Sequence, residues 1–121
     1  SFVGNVHEGP HALNGRNTVV FQPGMIVTDE PGVYEGGQVG IRIENELMCV
    51  HKADNQYGTF LGFEPIMFVP IATSPVVPGV LTRDELDWLN AYHREVFTKL
   101  APRLTEEERD WLAKKCAAIG A

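Results

Sequence analysis

Met25-Ile26-Val27-Thr28-Asp29-Glu30-Pro31-Gly32 and, a short turn later, Val39-Gly40-Ile41-Arg42-Ile43-Glu44-Asn45 carry the strand signals from which the fold follows. The first is a run of β-formers ended by Pro31, which restricts Glu30 to extended geometry, and by Gly32, which lets the chain turn. In the second, Val39, Ile41 and Ile43 are apolar, whereas Arg42 and Glu44 share the opposite face, the period-2 signature of a strand with two unlike faces. Gly36-Gly37 between them marks a reversal.

Working outward, further β-type residues occupy Thr18 to Phe21, Met25 to Asp29, Val39 to Val50 and Pro65 to Val69, separated by Pro23-Gly24, Pro31-Gly32, Gly36-Gly37 and Ala53-Asp54-Asn55. This spacing predicts an antiparallel meander. From Pro70 to Pro78 the periodic signal stops, and beyond it Thr82-Arg83-Asp84-Glu85 and Thr105-Glu106-Glu107-Glu108 both match the capping box. Two helices are expected there. The first places Leu86, Leu89, His93, Val96, Phe97 and Leu100 on one stripe until Pro102 stops it; the second presents Trp111, Leu112, Lys115 and Ile119 and is expected to end at Gly120. The fold class is therefore α+β, an antiparallel sheet followed by C-terminal helices, with the division placed between residues 1–72 and 73–121.

Composition narrows the function classes. Ten Lys and Arg against sixteen Asp and Glu give a formal charge of -6, so the long-range field repels nucleic acid and anionic membrane surfaces. No apolar run approaches the roughly 18 residues needed to span a bilayer. Cys49 and Cys116 have no metal-type or CxxC spacing, and two reduced thiols in a cytoplasmic protein are expected. The start, Ser1-Phe2-Val3-Gly4, has no initiator Met and no cap or linker ahead of its apolar pair, which points to a chain that begins inside a larger domain.

Chemistry concentrates in the first half. If the strands flanking Gly36-Gly37 pair, Glu30 and Glu44 converge, and two carboxylates held close need a cation between them. Hard oxygen ligands favour manganese, magnesium or calcium, or zinc once an imidazole joins. The commoner meaning of such charge alternation is a solvated strand face with an ion pair. His7, in the loop Asn5-Val6-His7-Glu8-Gly9-Pro10, is placed to exchange protons near neutral pH; His11 shares that loop, His51 ends a strand, and His93 is expected as a satisfied core histidine.

Taken together, Asn5-Val6-His7-Glu8-Gly9-Pro10, Pro23-Gly24-Met25-Ile26-Val27-Thr28-Asp29-Glu30-Pro31-Gly32 and Gly40-Ile41-Arg42-Ile43-Glu44-Asn45 resemble the catalytic motifs of the M24 metallopeptidases. Phe63-Glu64-Pro65, Val69-Pro70-Ile71, Leu81-Thr82 and Asp87-Trp88-Leu89-Asn90-Ala91-Tyr92-His93 resemble the C-terminal segment of the long, eukaryotic-type aminopeptidase P branch. The resemblance implies the C-terminal part of a pita-bread fold and two divalent metals, usually manganese. Glu30 would be a metal ligand that also takes a proton, Glu44 a carboxylate shared by both metals, and His7 a hydrogen-bonding partner of the substrate. Arg42 would orient a ligand carboxylate, and Tyr34 and His11 would belong to the surrounding pocket.

The same resemblance implies removal of the first residue from peptides with proline second, and a homodimer. It also implies two aspartates and a histidine of a Gly-His-Gly type segment that precede these motifs; without them two of five ligands remain, so the chain alone is expected to be inactive. The rival readings are an assembly module in which Trp88, Tyr92 and Trp111 meet a second copy, and a part of a prolidase-like M24 dipeptidase. Exposed apolar surface around Phe2, Val3, Val39, Ile41 and Ile43 is expected to promote self-association or to be covered by the remainder of the catalytic domain.

Overall fold

A computed structural model describes residues 7–120; Phe2, Val3 and the start of the Asn5 motif lie outside the described residues. The chain divides into two units, Ser1–Met67 and Phe68–Ala121, each with its own internal packing.

In the first unit β1 (Ile26–Asp29), β2 (Gly32–Glu35), β3 (Val39–Arg42), β4 (Asn45–Asn55) and β5 (Gly58–Pro65) follow in order. The sheet order is β1-β4-β5, with β2-β3 as a separate two-stranded ribbon, and every pairing is antiparallel. β1 pairs with β4 rather than with its neighbour β2, and the β2-β3 ribbon is the tip of that same hairpin, so the strands follow one another as the expected antiparallel meander. Gly37 (φ 74°) supplies the left-handed residue of the β2-β3 turn and Gly58 (φ 134°) that of the β4-β5 turn.

Three strand assignments change. Thr18 to Phe21 is not a strand: the Asn17 side chain donates to the Val19 carbonyl at 2.8 Å and accepts from its amide at 3.1 Å, occupying groups that a ladder would need. Val39 to Val50 is two strands, interrupted at Ile43-Glu44. The strand expected over Pro65 to Val69 lies earlier, because β4 runs through His51 and the Ala53-Asp54-Asn55 stretch to Asn55 and draws Gly58–Pro65 alongside; of the expected segment only Pro65, opposite Leu47, and Ile66, whose amide donates to the Glu46 carbonyl at 2.9 Å, join the pairing. A register shift between His51 and Ala53 bends this hairpin. Only Val27 and Cys49 are buried hydrophobics among the described residues of this unit, whereas Val33, Val39, Ile41 and Ile43 are exposed.

The second unit contains α1 (Arg83–Leu100) and α2 (Glu106–Lys115). Both capping boxes form: the Glu85 carboxylate accepts from the Thr82 amide at 2.7 Å, and that of Glu108 from the Thr105 amide at 2.9 Å. These bonds hold both carboxyls below the usual range. Pro102, which has no amide to give, falls in the short 3-10 turn Ala101–Arg103 between the helices.

Tyr92, Val96 and Leu112 form the core, with Phe68, Ile71, Phe97, Leu100, Leu104 and Cys116 packed around it. The helix α2 stops at Lys115, well before Gly120, because Asn90 of α1 captures the main chain there, donating to the Ile119 carbonyl at 3.1 Å and accepting its amide at 3.0 Å. Trp88 and Trp111 are each 57% exposed rather than core. The first stacks on Tyr92 with centroids 5.8 Å apart; the second lies under the Lys115 ammonium. Cys49 and Cys116 are both free.

Candidate metal centre

The two ladders of the first unit share one register. Stepping forward from the Asp29–Asn45 pair, or back from the Gly32–Arg42 pair, places Glu30 opposite Glu44 and Pro31 opposite Ile43. The interruption has a chemical cause: Ile43 donates its amide to the Pro31 carbonyl at 3.3 Å, but proline has no N–H to return the bond. With Pro31 and Ile43 in a hydrogen-bonded position, Glu30 and Glu44 fall in the alternating site where facing side chains are closest. Like charges directly opposite one another repel, so this pair requires a cation.

Arg42 provides one. Its Nη1 donates to Glu30 Oε2 at 3.1 Å and lies 3.5 Å from Glu44 Oε2. Its Nε donates to the Tyr34 hydroxyl at 2.7 Å, and the guanidinium lies 5.8 Å from the Tyr34 ring centroid. The hydroxyl first, then the two carboxylates, raise the already high basicity of Arg42. Glu30 is further held by Thr28, whose hydroxyl donates to Oε1 at 2.8 Å. Thr28, Glu30, Arg42, Glu44 and Tyr34 thus share one face of the ribbon, and the apolar Val33, Val39, Ile41 and Ile43 take the other.

Two glycines make this face possible. A Cβ on Gly32 would lie 2.6 Å from the Tyr34 hydroxyl oxygen, and one on Gly40 would lie 3.0 Å from the same ring. The phenol therefore lies flat across Gly32 and Gly40 to reach Arg42. Neither this role of the glycines nor that of Thr28 emerges from the sequence reading, although Thr28 stands two residues before Glu30 on a strand, the spacing of same-face neighbours.

Glu30 also borders a second feature, an open cleft of about 850 Å³ lined by His7, Glu8, His11, Thr28, Asp29 and Glu46 among others. His7 and Glu30 face this common space; Glu44, Arg42 and Tyr34 are not among its lining residues. His7 is exposed, and His11 is half-buried with its Nε2 2.8 Å from the Ile26 carbonyl.

The donor set fits a centre for divalent cations in part. Two opposed carboxylates converge on a position where a guanidinium already serves as their cation, and oxygen donors of this type suit hard metals. Two carboxylates alone fall short of the roughly four to six donors such ions take, and no group of three or more His, Cys, Asp or Glu able to hold a metal occurs among the described residues.

Elsewhere, His51 lies within β4 rather than at its end, with its Nε2 2.8 Å from Asp54. His93 is fully buried, and its Nε2 accepts the Ile71 amide at 3.1 Å, as expected of a core histidine, but its Nδ1 has no partner among the described residues. Burial pushes its pKa down.

Residues 2–51 match metallopeptidase family M24 and residues 59–119 match the C-terminal region of peptidase M24. Aminopeptidase P2 of Arabidopsis thaliana is 47% identical over 115 residues, covering 89% of this chain and 16% of that protein. A probable Xaa-Pro aminopeptidase P of Coprinopsis cinerea is 41% identical over 123 residues, covering 95% and 20%. The crystal structure of X-prolyl aminopeptidase from Caenorhabditis elegans, described as a cytosolic enzyme with a di-nuclear active site, aligns with a TM-score of 0.80 at 38% identity over 95% of this chain and 20% of that one. The chain spans 16% to 20% of the length of these relatives. Antiparallel strands followed by two helices, laid on that enzyme over almost their whole length, are the C-terminal part of a pita-bread fold. The chain belongs to the M24 metallopeptidase family, of which it carries the C-terminal region.

Proposed function

We propose that this chain works as the C-terminal part of an Xaa-Pro aminopeptidase, in which it supplies one wall of a dinuclear metal centre and is inactive without the rest. The observation that carries the reading is the placement of Glu30 opposite Glu44 at the Pro31 break, with Arg42 between them. The similarity of both units to enzymes of that name supports it. The substrate is a peptide with proline at its second position. Residues 1–72 form the catalytic portion and 73–121 the helical extension.

Glu30 and Glu44 would hold the two ions, manganese in this proposal, with Glu44 shared between them. The ions would supply Lewis acidity toward the scissile carbonyl and acidify water. The protein's own groups do the rest. Glu30 takes a proton at its carboxylate, Thr28 fixes the carboxylate's rotamer, and Arg42, held from behind by the Tyr34 hydroxyl, keeps both acidic groups aimed at one point. His7, which lines the same cleft as Glu30, hydrogen-bonds the substrate.

The enzyme is proposed to be cytoplasmic and homodimeric; among the described residues no helix is long and apolar enough to cross a membrane. Val33, Val39, Ile41 and Ile43 are proposed to be covered by the remainder of the catalytic domain. The test measures manganese binding by calorimetry and cleavage of an Xaa-Pro peptide, for the chain alone and for the full polypeptide that contains the preceding ligands. Tight binding and cleavage by the full polypeptide only, both lost in Glu44→Ala, support the proposal; unaided cleavage by the 121-residue chain refutes its inactivity.

A further inference from the structure

We infer that His11 is a positioning residue, which locks the His7 loop against β1 and so sets the distance across the cleft between His7 and Glu30. This rests on the aminopeptidase reading for its consequence in catalysis, but not for its structural basis.

The His11 ring is fastened in two ways. Its Nε2 lies 2.8 Å from the carbonyl oxygen of Ile26, the first residue of β1. A carbonyl only accepts, so Nε2 is the donor, which leaves Nδ1 as the other polar atom of the ring. That Nδ1 is buried with no partner among the described residues, so the polar hold on the ring is the bond to Ile26. The ring also meets Phe21 edge-on at 5.9 Å, and Phe21 meets Phe63 of β5 edge-on at 5.2 Å. An aromatic chain thus runs from the loop across to the far strand of the sheet.

The receiving end is rigid. Gly24 donates to the Cys49 carbonyl at 2.9 Å and Cys49 donates to the Met25 carbonyl at 2.8 Å, continuing the β1-β4 pairing upstream of Ile26. Cys49 is itself 1% exposed. His7 itself is exposed. His11 stands four positions after His7, and Ile26 four positions before Glu30, so the bond ties together the two segments that carry the cleft-lining His7 and Glu30. Release of His11 frees the His7 arm while leaving Glu30 in place just past the end of β1.

Two variants separate the donor from the ring. His11→Phe keeps an aromatic edge for Phe21 and removes the donor; His11→Gln restores an N–H near the position of Nε2. In the full polypeptide assayed with an Xaa-Pro peptide, His11→Phe is expected to lower kcat about 10-fold with little change in KM, because a misplaced transition-state contact is lost, and His11→Gln to recover most of it. In a His7→Ala background His11→Phe should cost nothing further. Equal, additive losses in both backgrounds, or no recovery by Gln, overturn the inference. Amide exchange of the 7–14 loop decides the anchoring independently of any activity: faster exchange in His11→Phe than in the unaltered protein and His11→Gln supports it, and equal exchange in all three refutes it. Failure of the unaltered protein to cleave the peptide would refute the aminopeptidase reading and leave that exchange result standing.

Discussion

His93 should make the second unit sensitive to mild acid. Its ring is completely buried and its Nε2 is occupied by the Ile71 amide, so a proton there would break that bond and leave a charge without water. Burial accordingly holds its folded-state pKa below the ordinary value of 6.5. In the unfolded chain the ring takes up a proton near that ordinary value, so below it the unfolded state binds more protons than the folded one. Stability is therefore constant above about pH 7 and falls as pH drops through the ordinary value, until the depressed folded-state pKa is reached. The limiting slope is about 1.4 kcal/mol per pH unit. With a urea dependence of about 1 kcal/mol per molar, that slope moves the unfolding midpoint by about 1 M for each pH unit.

Fluorescence reports the transition, since Trp88 stacks on the Tyr92 ring beside His93 and Trp111 lies on α2. The carboxyls of Glu85 and Glu108 are held low by their capping bonds, so their own contributions are lost only at more acid pH and leave the window near neutrality to the histidine. His93→Gln, which offers the Ile71 amide an acceptor that does not titrate, should abolish the slope. His93→Leu should abolish it too, and should cost about 1–3 kcal/mol at neutral pH by orphaning that amide. A slope that persists in His93→Gln, or a flat profile in the unaltered protein, would refute the reasoning.

Gly32→Ala should push the Tyr34 ring from its seat and break the bond between its hydroxyl and Arg42, since the new Cβ would lie 2.6 Å from the phenol oxygen. Tyr34→Phe removes the same bond without displacing the ring; both should weaken manganese binding by the full polypeptide about 10-fold in calorimetry, and normal affinity in Tyr34→Phe would show that the hydroxyl does not support the carboxylates. At the other end of the chain, Thr105→Ala removes the acceptor for the Glu108 amide at the start of α2. It should lower the stability of the second unit by about 1 kcal/mol in urea titration, and a loss below a few tenths would show that the cap is dispensable.

The helices were legible because their signals are local. Thr82 with Glu85 and Thr105 with Glu108 satisfy each other's amides within one turn, and no distant residue alters that geometry. The end of α2 was not legible, because Asn90, far away in sequence, competes for the main chain at Ile119. The same distinction holds for the strands. Alternation over Val39 to Glu44 assigned the faces correctly, whereas the false strand at Thr18 to Phe21 arose because β-propensity says nothing of where a side chain such as Asn17 will bond.

For the candidate centre, the chemical types could be read from the residues alone: two carboxylates, a guanidinium on the same strand face, and a proline beside Glu30. Tertiary structure alone decided that the strands pair in one register across the break, which puts Glu30 opposite Glu44. It alone laid Tyr34 over Gly32 and Gly40 and hung the His7 loop on β1 through His11. The physical reason is that side-chain type and strand period are properties of neighbouring residues. Register and close approach depend on which distant backbone groups find each other, and a slip of one residue would turn every one of these side chains to the other face.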